Sequence, residues 1–218
     1  MDLTRLRILG SGYVGLFGVC NDSLCFLPTQ VDKKTEETIS NVLGVKTVKI
    51  NIYGSALLAV FAKMNNKHIY LPRLLSEKEV EEIEKEIKVK ILPTESAIGN
   101  LIEVNDNGAI ISKTLDKRIA EEMRKTGLRV EQLNIAKTDI VGSALLATNN
   151  AFVVHPAISK EEAKKLEEIF GVKGGSATAN SGDPFIRNSI LANKKGIIMG
   201  ENTTPFEINK IEEALEAK

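Results

Sequence analysis

Tryptophan is absent from these 218 residues, and three tyrosines and seven phenylalanines are the only other aromatics. The core must therefore be mostly aliphatic. Histidine and cysteine occur twice each, too few and too scattered to furnish a zinc site. Cys20 and Cys25 form a C-x4-C spacing without a second pair. Both are expected as small buried thiols, because a disulfide would need an oxidising compartment for which nothing in the sequence argues. Excess charge of either sign is also missing: 29 Lys and Arg balance 29 Asp and Glu. That excludes a protein held to nucleic acid mainly by bulk positive charge, although a local basic patch stays open. No run of about 18 apolar residues suggests a membrane span. The mildly apolar segment Gly12–Pro28 is broken by Asn21 and Asp22 and has no basic leader, so a cytoplasmic location is expected. Gly10-Ser11-Gly12 and Gly174-Gly175-Ser176 lack the context or the Lys-Ser/Thr of a phosphate-binding loop. No cysteine is marked as activated by a histidine and a carboxylate. Neither cofactor, metal, small-molecule substrate nor catalytic residue is expected.

What is present is repetition. Gly54-Ser55-Ala56-Leu57-Leu58-Ala59 returns as Gly142-Ser143-Ala144-Leu145-Leu146-Ala147, and related apolar stretches open at Gly15, Gly99 and Ser189. Each is followed by a turn rich in Asn, Asp or Gly (Asn21, Asn65, Asn105, Asn149, Asn193) and a second apolar run, which reads as a hairpin of two strands. A helix then starts at Asp32, Ser76, Asp116, Ser159 and Thr204, at intervals of 44, 40, 43 and 45 residues. Glu79, Glu162 and Glu207 complete capping boxes, and Pro205 sits at a first helical position. Seven residues past each cap stands Ile39, Ile83, Met123, Leu166 or Ile211, the inward stripe of an amphipathic helix. Gly44, Gly127 and Gly171 close helices, and extended segments follow at Val45–Ile52, Val89–Leu92 and Leu128–Ile135, with a weaker one near Val172.

The unit is strand, strand, helix, strand, and the array is α/β. Such units cannot each bury a core, so 1–218 folds as one domain, with repeats at about 11–52, 53–95, 96–138, 139–185 and 186–218. The fifth copy ends at its helix, near Lys218, and lacks a third strand, while the chain begins with a spare one at 3–9. Pairing the two would close a five-unit ring and abolish the sheet edges of an open array. Ser55, Asn100, Ser143 and Ser189 are then expected to cluster where the opening strands meet, and His68 and His155 to be exposed at strand ends. Gly174–Pro184, without helix or clear strand signal, is the best loop for contacting a partner.

Five sets of residues carry a family resemblance. They are Val14-Gly15-x-Phe17 with Asn21 and Cys25; Ile98-Gly99-Asn100 with Asn105-Asp106; Val141-Gly142-Ser143 with Asn149 and Val154-His155-Pro156; Ala179-Asn180-x-Gly182; and Gly200-x-x-Thr203-Thr204-x-x-Glu207. Together they resemble the archaeal and eukaryotic translation initiation factor 6 family, its archaeal members most. The resemblance implies a pentein, a ring of five pseudo-symmetric α/β units. It also implies a monomeric anti-association factor that binds the large ribosomal subunit, through ribosomal proteins and nearby ribosomal RNA, and sterically blocks joining of the small one. Among the matching positions, Asn100, Asn105, Ser143, Asn180 and Gly182 are the expected partner-binding residues. Ile111-Ser112-Lys113 replaces the Val-His-Pro of the eukaryotic third repeat, and the chain stops soon after the fifth helix. The alternative is a guanidine-modifying hydrolase or transferase of the same fold, which would place a reactive cysteine late in the chain beside a histidine.

Overall fold

The computed structural model describes residues 1–216. The expected end of the last helix near Lys218 lies outside the described residues. The chain opens with β1 (Asp2–Leu6). The first unit has a 3-10 turn (Val14–Leu16), β2 (Val19–Cys20), β3 (Leu24–Leu27), α1 (Lys33–Leu43) and β4 (Lys46–Lys49). The second has α2 (Leu58–Phe61), β5 (Lys63–Met64), β6 (His68–Pro72), α3 (Glu77–Glu84) and β7 (Lys88–Leu92). The third has α4 (Ile98–Leu101), β8 (Ile102–Val104), β9 (Gly108–Ile111), α5 (Lys117–Arg124) and β10 (Arg129–Gln132). The fourth has α6 (Val141–Ala144), β11 (Leu145–Ala147), β12 (Phe152–Val154), α7 (Lys160–Phe170) and β13 (Gly174–Ser176). The fifth has α8 (Ile186–Ser189), β14 (Ile190–Ala192), β15 (Gly196–Gly200) and α9 (Pro205–Leu215).

Local chemistry fixes the long helices where the sequence places them. Asp32 accepts the Thr35 N–H at 2.9 Å, Asp116 caps α5, and Ser76, Ser159 and Thr204 form full capping boxes with Glu79, Glu162 and Glu207. Gly44 and Gly171 end α1 and α7 in the left-handed region. Ile39, Ile83, Met123, Leu166 and Ile211 are all buried.

In every unit the first strand pairs antiparallel with the second, and the second pairs parallel with a third. For the fifth unit the third strand is β1, registered Asp2 to Gly196 through Leu6 to Gly200. The five sheets stay separate, each of three strands, so the expected abolition of sheet edges does not occur. The first strands run for only two or three residues. The outer strands instead carry Lys46, Lys49, Lys88, Lys90 and Arg129, which discourage pairing with another chain.

Units join through side chains. Each of five apolar clusters is shared by adjoining units: Phe26 and Ile52 with Leu58 and Ile83; Tyr70 and Leu92 with Ile98 and Met123; Ile110 and Ile135 with Val141 and Phe170. Leu146 and Val153 pack with Ile186 and Ile211, and Ile39 and Leu43 of the first unit pack with Leu191 and Ile198 of the fifth. The short helical segments touch in the same order: the 3-10 turn with α2, α2 with α4, α4 with α6, α6 with α8, and α8 with the 3-10 turn.

Three sequence expectations change. The openings are each a helical turn running into a strand of two or three residues, because a short apolar run does not by itself distinguish helix from strand. The repeated hexapeptide is out of structural register. Ser55 bridges Ile52 in a reverse turn, as Ser11 bridges Ile8 and Thr138 bridges Ile135, whereas Ser143 lies inside α6. The equivalent positions are Val14, Leu58, Ile98, Val141 and Ile186, each seven residues before Asn21, Asn65, Asn105, Thr148 or Asn193. Finally, Gly174–Ser176 is strand β13 rather than loop. A side chain at Gly174 would strike the Phe152 backbone, so glycine marks close packing there.

Candidate functional site

The first strands have two ends, each with its own chemistry. At one end lie the reverse turns and the short helices. Leu9 and Gly10 have φ of 50° and 79°, Tyr53 and Gly54 of 53° and 65°, and Ala136 and Lys137 of 50° and 61°. Two successive positive values make type I′ turns, which Leu, Tyr and Ala adopt only when their surroundings hold them there. In the fifth unit the turn is one residue longer: Asn180, Ser181 and Gly182 stand at 47°, 65° and 106° between Ala179 and Asp183.

Capping-box glutamates hold the turns at Ala136 and Asn180. Glu162 accepts the Ala136 N–H at 3.2 Å. Glu207 accepts from Gly182 N–H at 2.7 Å, Ser181 N–H at 3.2 Å and Thr178 hydroxyl at 2.8 Å, besides Thr204 at its own helix start. Burial disfavours the Glu207 charge, but these donors outweigh it and hold the carboxyl below the usual range. Asn180 Nδ2 donates to Gly12 O and to Ser189 Oγ, both at 2.9 Å, tying the fifth turn to the first unit. Ser143 Oγ donates to Asn100 Oδ1 at 3.2 Å. Asn100, Ser143, Asn180 and Gly182 therefore share this end, with Gly182 exposed and Ser143 buried. Ser189 is buried beneath them, while Ser55 belongs to a turn and not to this cluster.

Large apolar side chains are exposed at the same end. Leu9 is 46% exposed, Tyr53 54%, Tyr13 44% and Leu57 37%. They form two equivalent pairs in adjoining units: Leu9 and Tyr53 head the strained turns, and Tyr13 and Leu57 immediately precede the first two short helices. Tyr53 also packs edge-on to Phe61, with ring centroids 5.8 Å apart. Apolar groups held outward on strained, well-supported backbone are the pattern of a contact surface. Residue type alone does not single out these four positions. Their signal was the true in-register repeat, Leu9-Gly10-Ser11 against Tyr53-Gly54-Ser55.

The opposite end is polar and internally satisfied. Asn21, Asn65, Asn105 and Asn193 each accept two backbone N–H groups of their own turn through Oδ1. Their Nδ2 groups reach across: Asn21 to Asn65 O, Asn65 to Asn105 O, Asn105 to Thr148 O, and Asn193 to Asn21 O. Thr148 replaces the fifth asparagine and has no amide to extend. Asn105, expected among the partner-binding residues, is thus 3% exposed and lies at the other end of β8 from Asn100. Outside this ladder, Asp22 accepts from Asn66 Nδ2 and Asn149 Nδ2, each at 2.8 Å. Burial opposes its charge, yet these bonds keep its carboxyl below the ordinary range.

Between the two ends charges are buried. Lys63 pairs with Glu103 of the third unit and donates to Gly142 O of the fourth at 3.0 Å. Glu103 also accepts the Ala147 N–H at 3.1 Å. Burial brings the Lys63 ammonium down to about 8 in spite of its partner. Arg187 donates to Gly15 O at 2.6 Å and to Ile190 O and Gly18 O at 3.2 Å, joining the fifth unit to the first. Cys25 is buried, and its thiol is pushed up by neighbouring Cys20 and by burial. His68 and His155 are half-buried rather than exposed; His155 Nδ1 accepts the Ala157 N–H at 3.0 Å and its ring meets Phe185. Among the described residues no group of three His, Cys, Asp or Glu could hold a metal ion.

A sequence model of the eIF-6 family matches residues 3–214. Translation initiation factor 6 of Pyrococcus horikoshii is 35% identical over 224 residues, covering 99% of each chain. The protein of that name from Saccharolobus islandicus is 34% identical over 222 residues, again covering 99% of each. That from Thermoplasma acidophilum is 30% identical over 214 residues, covering 98% of this chain and 99% of the relative.

Proposed function

Because this chain belongs to the eIF-6 family, and its relatives are translation initiation factors, we propose that it binds the large ribosomal subunit and prevents premature association with the small one. The action is steric and the partners are ribosomal proteins and adjacent ribosomal RNA. We read the five units as a closed ring of the pentein type. The pairing of β1 with β15 and the apolar cluster shared by the fifth and first units support this reading. Within it the protein works in the cytoplasm as a monomeric, rigid disc; no helix among the described residues is long and apolar enough to cross a membrane.

The observation that carries the choice of face is the exposure of Leu9, Tyr13, Tyr53 and Leu57 on backbone fixed by short-range hydrogen bonds. Exposed aromatic and aliphatic groups on a preorganised surface favour docking without an ordering penalty. Asn100, Ser143, Asn180 and Gly182 are proposed to serve the same end as polar or backbone contacts. To Asn105, whose side chain is occupied within the fold, we give a supporting role. The enzyme alternative has less behind it: among the described residues neither cysteine hydrogen-bonds to a histidine.

Co-sedimentation with purified large and small subunits, followed by a joining assay, tests the proposal. Pelleting with the large subunit and inhibition of joining are expected. Failure to pellet with either subunit, or unimpeded joining, refutes it. Asn100→Ala and Asn180→Ala in the same assay ask whether the short helices or the fifth turn carry the polar contact.

A further inference from the structure

The first unit places two thiols where the other four have none. Cys20 stands directly opposite Cys25 in the β2–β3 ladder. The equivalent pairs are Met64 with Ile69, Val104 with Ala109, Ala147 with Phe152, and Ala192 with Ile197. Asn21 N–H donates to Leu24 O at 2.9 Å, which makes the next pair inward, Cys20 with Cys25, a non-hydrogen-bonded one. At such pairs the Cα atoms are about 4.5 Å apart and the side chains lean together on one face. That spacing falls within the roughly 4.4–6.8 Å that a disulfide spans.

Access differs between the two sulfurs. Cys25 is fully buried, while Cys20 is half-buried and lines a cavity of about 30 Å³ at the asparagine end of the first strands. A cavity of that size admits a water-sized molecule. Cys20 Sγ also donates to Ala192 O of the fifth unit at 3.3 Å, a contact between the first and last units.

We propose that Cys20 and Cys25 form a redox couple, in which a small hydroperoxide oxidises Cys20 and the pair closes into a disulfide within the first hairpin. Cys20 sulfur attacks one oxygen of hydrogen peroxide, the O–O bond breaks, the departing oxygen takes up the Cys20 proton and leaves as water, and Cys20 becomes a sulfenic acid. Cys25 sulfur then attacks Cys20 sulfur; the S–S bond forms, the S–O bond breaks, and the hydroxyl departs as water with the Cys25 proton. Two electrons pass from the thiol pair to the peroxide, and a dithiol returns them. Closure withdraws the Cys20 S–H from Ala192 O and so acts on the junction between the fifth and first units. Disulfides of this kind inside cells are usually transient and redox-sensing rather than structural.

The test treats the folded full chain with hydrogen peroxide, then denatures, alkylates and weighs it. A mass lower by two hydrogens, no alkylated thiol, and reversal of both by dithiothreitol are expected. Cys25→Ser should take up oxygen at Cys20 instead, and Cys20→Ser should stay unmodified. The proposal is overturned if the native chain keeps two alkylatable thiols, gains oxygen while Cys25 stays free, or links to a second copy. Should either variant fail to give a cooperative melt, the mass of the native chain decides alone.

Discussion

Replacing Lys63 with methionine tests the energetics of the buried interior. The ammonium is 2% exposed and has two partners, the Glu103 carboxylate and Gly142 O. Lys63→Met leaves the Glu103 carboxylate buried with one neutral donor, Ala147 N–H at 3.1 Å. An uncompensated buried charge of this sort destabilises by about 3–5 kcal/mol. For a chain of this length that lowers the melting temperature by roughly 6–20 °C. Lys63→Met/Glu103→Leu removes both charges and should recover most of the loss, since a well-packed apolar pair is often as stable as a buried ion pair.

The pH dependence gives a second, independent reading. The Lys63 ammonium titrates at about 8 in the folded protein against an ordinary 10.5. Between those values the unfolded chain binds more protons at this site, so stability rises with pH there. Below pH 8 both states are protonated and the penalty of the buried charge is fully present. The native protein should therefore gain stability relative to Lys63→Met between pH 8 and 10, measured by urea unfolding at each pH. A flat difference across that window, or a double variant as unstable as the single one, refutes the reasoning.

Leu9→Asp and Tyr53→Asp should change stability by less than about 1 kcal/mol, because both side chains are about half exposed and lie outside the buried core. Each should weaken large-subunit binding by roughly tenfold or more; unchanged co-sedimentation with both variants would remove this face from the proposal. Glu207→Gln should destabilise by about 1–3 kcal/mol, since the donors of Gly182, Ser181 and Thr178 lose a charged acceptor. Because the Glu207 carboxyl is held below its ordinary 4.5, that difference should be complete above pH 4.5 and shrink as the pH falls through the folded value. An acid titration in which the two proteins keep a constant gap contradicts the assignment. Thr148→Asn should stabilise by about 0.5–1.5 kcal/mol by supplying the one amide missing from the ladder, directed at Asn193 O; a lower denaturation midpoint counts against that geometry.

Much of the long-range organisation was legible because its causes are local. Helix starts follow from a cap and a glutamate three residues on, as at Ser76 with Glu79, and both partners lie within one turn of the chain. The inward helix stripe and the spare N-terminal strand were equally legible, the first from period and the second from a count of strands. The openings were not legible as helical turns, because the close contacts that shape them come from neighbouring units. Gly99 is an example: a side chain there would strike Ala59 O of the second unit. The hexapeptide misled for the same reason, since identical letters at Ser55 and Ser143 meet different neighbours and take different backbone conformations.

The candidate site divides along the same line. Polarity and turn chemistry singled out Asn100, Asn105, Ser143, Asn180 and Gly182, but not which end of a strand each occupies or whether its hydrogen bonds are already spent. Alone, the sequence determined five repeated units, their long helices and the family to which they belong, because caps, periods and motifs are written in short stretches. Only the tertiary structure decided that Asn105 is enclosed while Leu9 and Tyr53 face outward, and that Lys63 meets Glu103. Exposure and pairing are properties of which unit packs against which, and no stretch of chain carries them by itself.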